Sequence, residues 1–244
     1  MTYSLQLYTV RGPLESDLSG TIKRVADIGY TAVEPYNFVA TADQLAAALT
    51  ENGLTAPSGH APLLRADQDE IFAAARKLGI GTVIDPHVDR AQWTTEEDIK
   101  STADALNAAA VKGAEYGIRV GYHNHEFELE SRVNGRTGLE VLANHLDPSV
   151  LLEVDTYWAA VGGEDVPALL GRLGNRVRFI HIKDGPLTKV DKDQLAVGAG
   201  KMPIWDVVEA VPGLEVAVVE LDDFSGDIFE AVSESLSYLK AGRN

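Results

Sequence analysis

Gly174-Asn-Arg-Val177-Arg-Phe-Ile-His-Ile-Lys183-Asp184 carries the pattern that organises this chain. A helix-like stretch stops at a glycine, a short run of Val, Ile and Phe follows, and polar residues close the run. Glycine is favoured after a helix because it takes positive φ without a Cβ clash. A short apolar run bounded by turn residues reads as a strand. The same punctuation recurs at Gly29 before Thr31–Glu34, Gly53 before Leu54–Ser58 and Gly79 before Thr82–Asp85. It returns at Gly117 before Ile118–His123 and Gly213 before Leu214–Glu220. Two strands lack the glycine: Ser4–Thr9, and Val150–Asp155 after Asp147-Pro148. The count is eight.

The segments between carry helix signals. Thr41-x-x-Gln44, Thr94-x-x-Glu97 and Thr137-x-x-Glu140 read as capping boxes, in which a hydroxyl and a Glu/Gln side chain each satisfy a free backbone N–H. Leu18, Ile22 and Val25 form one apolar stripe; Ile99, Ala103, Leu106 and Ala110 form a second. Ile228, Val232, Leu236 and Leu239 form a third. Alternating strands and helices predict a parallel sheet. Eight units of about 30 residues predict an α/β fold, a single (β/α)8 barrel over 1–244. An open doubly wound sheet is the alternative, weakened because no Gly-x-Gly-x-x-Gly follows a strand. The longest irregular stretch, Asp184–Lys201, is expected to cover the site.

Composition narrows the function classes. Lys and Arg number 21 against 37 Asp and Glu, a formal charge of −16. Such a chain repels phosphate backbones, which argues against nucleic acid as a partner. There is no cysteine, so disulfides, thiolate metal sites and a cysteine nucleophile are excluded. No apolar run reaches the roughly 18 residues of a membrane span. The N-terminus lacks the basic and apolar regions of a signal peptide. A cytoplasmic enzyme is expected, and a homo-oligomer is compatible with the sequence.

Barrels of this kind place active sites at the C-terminal ends of their strands. Of six histidines, His60, His87, His123, His125 and His181 fall at or just past expected strand ends; His145 alone sits at a helix end. Glu34, Asp85, Glu126, Glu153, Asp155, Asp184 and Glu220 cluster there too. Glu153 and Asp155 share a side of their strand, as do His181 and Lys183, and His123 and His125. A carboxylate such as Glu220, ending an apolar run, needs a partner or a metal. Imidazoles and carboxylates converging from several strands suit a divalent cation. A rim of ion pairs and hydrogen-bonded histidines is the competing explanation.

At these residues the chain resembles the xylose isomerase-like TIM-barrel superfamily of sugar (phosphate) isomerases and epimerases, inosose dehydratases and endonuclease IV-type nucleases. The pieces run in order: His60-Ala-Pro-Leu, Asp85-Pro-His87, Tyr122-His-Asn-His-Glu-Phe-Glu128, Leu152-Glu-Val-Asp155-Thr-Tyr-Trp158, His181-Ile-Lys-Asp184-Gly, Gly198-Ala-Gly-Lys-Met-Pro-Ile-Trp205 and Val219-Glu220. The resemblance implies one divalent metal ion, Mn²⁺ first and Co²⁺, Mg²⁺ or Zn²⁺ as alternatives, held by Asp155, His181 and Glu220. The fourth ligand of the epimerases is a strand-5 glutamate. His123 stands at the matching place, with His125 and Glu126 as alternatives. The nuclease branch carries Asp-x-x-His where this chain has Asp155-x-x-Trp158, which removes a ligand.

The expected activity is a metal-dependent isomerase or epimerase acting on a keto-sugar or sugar phosphate through a metal-stabilised enediolate. Glu220 is the first candidate base and Glu153 the second, with His123 as a further catalytic candidate. His60, His87, His125, Lys183, Trp158 and Glu34 are expected to meet the sugar, with Tyr8 a further pocket candidate. Lys183 has an alternative as an ion-pair partner of Glu153 or Asp155, and Trp158 and Trp205 as caps of the barrel. A histidine at strand 5 disturbs the epimerases' glutamate pair. It gives weight to a lyase, either inosose dehydratase-like or a keto-glycoside eliminase. A sugar-binding barrel without turnover is the third reading.

Overall fold

Most of the glycine stops do locally what the sequence asks of them; Gly213 does not, since the helix before it ends at Glu209 and its own φ is not positive. Gly29 (φ 106°), Gly79 (φ 72°) and Gly117 (φ 72°) each take left-handed backbone, and each precedes a strand. The computed structural model describes residues 1–243. Its eight barrel strands are β1 (Thr2–Gln6), β2 (Ala32–Glu34), β3 (Ser58–His60), β4 (Thr82–Asp85), β5 (Arg119–His123), β6 (Leu151–Asp155), β7 (Val177–Ile182) and β8 (Val216–Val219). All paired neighbours are parallel, in the order β2-β1-β8-β7-β6-β5-β4-β3. Backbone bonds close the ring between β2 and β3: Val33 N to Thr55 O at 2.9 Å, and His60 N to Pro35 O at 2.8 Å. The fold is therefore the expected (β/α)8 barrel. A two-stranded hairpin, Arg132–Val133 with Arg136–Thr137, is an addition outside it.

Helices wrap the sheet with the predicted stripes inward. Ile22, Val25, Ile99, Ala103, Leu106, Val232 and Leu236 are all buried. Among the described residues, no helix is long and apolar enough to cross a membrane.

Four local expectations change. Leu54–Ser58 is not the third strand; β3 is Ser58–His60, and Thr55 only bridges to the β2 side. Ser-Gly-His lacks the β-branched residues that mark a strand. Gly59 is there because an added Cβ would meet the Ile80 and Phe38 side chains at 2.8 and 3.1 Å. The capping box at 94 shifts by one residue: Thr95, with extended backbone, exchanges bonds with Asp98, while Thr94 closes a 3₁₀ turn. Thr137 and Glu140 form the box as read, whereas Thr41 makes no side-chain cap. The N-terminal strand ends at Gln6, and Leu7–Val10 coils into a 3₁₀ turn.

The long loop after β7 is staked at its base. The Asp184 carboxylate accepts the backbone N–H groups of Gly185, Gly198, Gly200 and Met202 at 2.8–3.0 Å. The loop still reaches the mouth, where Lys189 and Asp191 help to line a pocket.

Candidate active site

Alternation along β6 turns Glu153 and Asp155 into the barrel, and β7 does the same for His181 and Lys183. Inward side chains of such barrels stack in layers, and here the layers differ in chemistry. In the lower one, Glu153 Oε2 lies 2.6 Å from His60 Nε2, 3.0 Å from His123 Nδ1 and 3.1 Å from His181 Nε2. Glu34 Oε1 lies 2.8 Å from His181 Nε2 and accepts from Gln6 Nε2 at 2.8 Å, and the Ser58 hydroxyl bonds its other oxygen. In the upper layer, Glu220 Oε2 lies 2.7 Å from His181 Nδ1. Lys183 Nζ approaches Asp155 Oδ2 at 3.0 Å, Glu220 Oε2 at 2.8 Å and Asp222 Oδ2 at 2.7 Å.

A pocket of about 570 Å³ opens above these layers. His60, His87, His123, His125, Trp158 and Glu220 line it. Glu34, Glu153, Asp155, His181 and Lys183 are buried and do not line it. Glu34 and Lys183, expected to meet the sugar, and Glu153, expected as the second base, therefore sit within the floor. Lys183 pairs with Asp155 rather than Glu153. Trp158 donates its indole N–H to Asp222 at 3.1 Å, and Trp205 stacks on Tyr238, away from the pocket lining. Tyr8 lines the pocket; His145 pairs with Glu96 elsewhere.

The floor is electrostatically polarised. Burial pulls the His181 imidazole down, yet Glu153 and Glu220 outweigh it and hold its pKa well above the ordinary histidine value. His60 is raised in the same way, burial being outweighed by Glu34 and Glu153. Burial and the neighbouring His181 hold His123 well below that value, so it is neutral. Burial opposes ionisation of Glu153, but His181 and His60 hold its carboxyl well below the usual range. Glu220 is held low against burial by Lys183 and His181. Burial and Glu153 push Glu34 up, and burial raises Asp155 in spite of Lys183. At the rim, burial and His125 lower His87, while Glu128 outweighs burial and raises His125.

These states fix a tautomer. A neutral His123 beside an ionised Glu153 must carry its proton on Nδ1 and donate it there. Its Nε2 lone pair then faces Asp155 Oδ2, 3.8 Å away.

Several supporting residues escape a reading by type alone. Asp222 anchors Lys183, Trp158 and Gln194 (2.7 Å); its signal was its place two residues after Glu220, on the same side of the chain. Asn124 clamps the end of β5 to β6 by exchanging bonds with the Asp155 backbone. Buried Glu128 accepts from the Tyr122 hydroxyl at 2.7 Å and from His125 N at 2.8 Å, and so sets the turn that presents His125. Asp85, already read as a strand-end carboxylate, holds the β3 and β4 loops through Leu64 N and His87 N, both at 3.0 Å.

A family model described as xylose isomerase-like TIM barrel matches residues 22–241. The chain belongs to the xylose isomerase-like TIM-barrel family. Inosose dehydratase of Lacticaseibacillus casei is 25% identical over 171 residues, 62% of this chain and 56% of that protein. The chain thus matches little more than half the length of that curated relative. A sugar phosphate isomerase/epimerase from Parabacteroides distasonis superposes with a TM-score of 0.85 at 23% identity, covering 99% of this chain and 94% of the other. The IOLI protein, solved with a zinc atom, superposes at 0.76 with 17% identity, covering 99% of this chain and 97% of the other. At these identities the structural likenesses establish the fold.

The upper layer of this xylose isomerase-like barrel fits a divalent cation. His123, Asp155, His181 and Glu220 each offer one nitrogen or oxygen, all within 4.8 Å of one another. Bonds of about 2.0–2.2 Å to such donors are compatible with that spread. Asp155 Oδ2 is buried without a hydrogen bond. Lys183 Nζ is near it at 3.0 Å but not aligned to donate. His123 Nε2 and the unbonded Asp155 Oδ2 thus face one another at 3.8 Å, beyond hydrogen-bond reach. A second group, His60, His123, Glu153 and His181, also meets the spacing, but Glu153 already accepts from its imidazoles. In that lower layer the carboxylates hold the far nitrogens of His123 and His181, the usual support behind ligating imidazoles.

Proposed function

We propose that this protein is a divalent-metal-dependent lyase acting on a keto-sugar or related polyhydroxy ketone. One observation carries the reading. Glu220 follows β8, His87 follows β4 and His125 follows β5, and β4 stands opposite β8 around the ring. A carboxylate and a pair of imidazoles therefore face one another across the pocket. Elimination needs that arrangement: a base for the C–H beside the carbonyl and a proton donor for the departing oxygen.

A cation held by His123, Asp155, His181 and Glu220 would polarise the substrate carbonyl and acidify the adjacent C–H. The mixed nitrogen and oxygen donors suit Mn²⁺, Co²⁺ or Zn²⁺. Glu220 accepts the C–H proton; Lys183 and His181 occupy its Oε2, and Oε1 makes no hydrogen bond among the described residues. The electron pair forms the C=C bond as the β-carbon–oxygen bond breaks. The His125 imidazole, raised against its burial by Glu128, supplies a proton to the leaving oxygen. His60 orients substrate hydroxyls, with its Nε2 held by Glu153. The inosose dehydratase relative supports a dehydration of this type.

Isomerisation or epimerisation shares the first step and returns the proton to carbon instead. The same opposition of Glu220 and His87 would serve two-sided proton transfer, with an imidazole as the second base. Incubating the metal-loaded protein with inososes and a ketose panel in D₂O separates the readings. Loss of water or of an alcohol supports the lyase. Unchanged formula with deuterium beside the carbonyl supports the isomerase. Neither change with any compound overturns the enzymatic reading.

A further inference from the structure

One wall of the pocket has different chemistry from its floor. Tyr8 and Tyr36 meet edge to face, with centroids 5.2 Å apart at 87°. The Arg11 guanidinium lies over the Tyr8 ring at 4.1 Å and forms no ion pair among the described residues. Tyr8 nevertheless keeps 40% of its surface exposed. Tyr36 and Asn37 are shared with a second cavity of about 140 Å³. Leu7, Leu14, Leu18 and Leu45 line that cavity, with Pro35 beside them. Asn37, at the junction, is one of three non-glycine residues at positive φ (42°) among the described residues, a backbone region that asparagine tolerates better than most residues.

We propose that Tyr8, Tyr36 and this leucine-lined cavity form a subsite for a flat apolar ring carried by the sugar, so that the substrate is a keto-sugar bearing an aryl or similar substituent. The inference rests on the keto-sugar reading above and names its substrate class. The volume matches: an apolar cavity of about 150 Å³ accepts one benzene ring. A second sugar ring would bury hydroxyls against leucines without partners. A phosphate would meet the same leucines and the Glu15 carboxylate, which also lines the cavity. An aromatic ring gains from burial and from edge or offset contact with the tyrosines. β1, which leads into Tyr8, is hydrogen-bonded to β8, which leads into Glu220. The wall therefore adjoins the base, within reach of a substituent on the reacting sugar.

Calorimetry with the Co²⁺-loaded protein compares methyl and phenyl 3-keto-β-D-glucopyranoside. The phenyl compound is expected to bind about tenfold tighter or more. Leu14→Gln and Leu18→Gln, which line the second cavity and not the sugar pocket, should each erase most of that difference and leave the methyl compound unchanged. Equal affinity of the two compounds overturns the subsite and leaves the keto-sugar reading standing. A phenyl preference indifferent to both substitutions also overturns it, because the ring then binds elsewhere. Binding of neither compound overturns both proposals.

Discussion

Glu153 Oε2 lies 3.0 Å from His123 Nδ1, and this contact decides which nitrogen of His123 is free to bind a ligand. Glu153 is held ionised and His123 neutral, so the proton sits between them and the Nε2 lone pair points toward Asp155. Glu34 bonds His181 Nε2 in the same manner and leaves Nδ1 toward Glu220. The lower layer of carboxylates thus orients the donors of the upper one.

Glu153→Gln should therefore weaken metal binding without removing any candidate ligand. An amide can still accept a bond, but it no longer favours the charge that accumulates on the imidazoles. Loss of such a support typically costs about 10–100-fold in metal affinity. Competition of Co²⁺ between the protein and a chromophoric chelator measures it. Unchanged affinity would remove Glu153 from this role.

Lys183 is the cation already resident among Asp155, Glu220 and Asp222. Lys183→Met leaves those carboxylates uncompensated, and breaking a buried pair costs about 3–5 kcal/mol. The metal-free variant should unfold at a clearly lower temperature than the wild type, and added Co²⁺ should recover much of the loss. Removal of the competing ammonium should also tighten Co²⁺ binding. A variant that loses Co²⁺ affinity would show that Lys183 supports the metal rather than competing with it.

Metal binding should release protons. His181 is held well above the ordinary histidine pKa, and a ligating nitrogen must be unprotonated. Apparent affinity should fall as pH falls, because the proton increasingly holds Nδ1. Calorimetry in buffers of different ionisation enthalpy counts the protons; a count of zero near neutral pH would contradict the protonation assigned here.

At the other end of the barrel, Glu215 bridges Arg119 and Arg178 at 2.7–3.0 Å. Its bonds to Arg119 lower its pKa, with burial opposing and Arg178 assisting. A depressed carboxyl gives stability that is present above its unfolded pKa and is lost as pH falls through its folded one. Glu215 and Arg178 are about one-third exposed and Arg119 nearly half, which limits the gain to about 0.5–1 kcal/mol. Glu215→Gln should cost that much at neutral pH and nothing once the pH lies below the folded pKa. Urea unfolding at several pH values tests it, and a pH-independent cost would contradict the assignment.

The barrel was legible because its signals are local. Glycine stops and Val/Ile runs repeat, and each reports a helix end or a buried strand. β3 was blurred because Ser58-Gly-His60 owes its place to neighbours, the Ile80 and Phe38 side chains, rather than to propensity. The cluster at the strand ends was legible through two-residue spacing, which assigns a side chain to one face of its strand. Spacing gives no depth, so Glu153 and Asp155 read alike although one lies beneath the imidazoles and the other beside Lys183. Glu34 was visible as a strand-end carboxylate, but its partners Gln6, Ser58 and His181 come from three other strands. The Tyr8–Tyr36 wall likewise joins residues after β1 and β2 that no motif links.

The most direct measurement of the central claim is Co²⁺ titration of protein stripped of metal, followed by absorption and calorimetry. One Co²⁺ per chain should bind with the spectrum of a mixed nitrogen and oxygen site. Asp155→Asn and His181→Ala should each abolish that binding or weaken it severely while the far-ultraviolet circular dichroism stays unchanged. Binding of no Co²⁺ by the wild type, or wild-type affinity in both variants, would contradict a metal centre at the floor of this pocket.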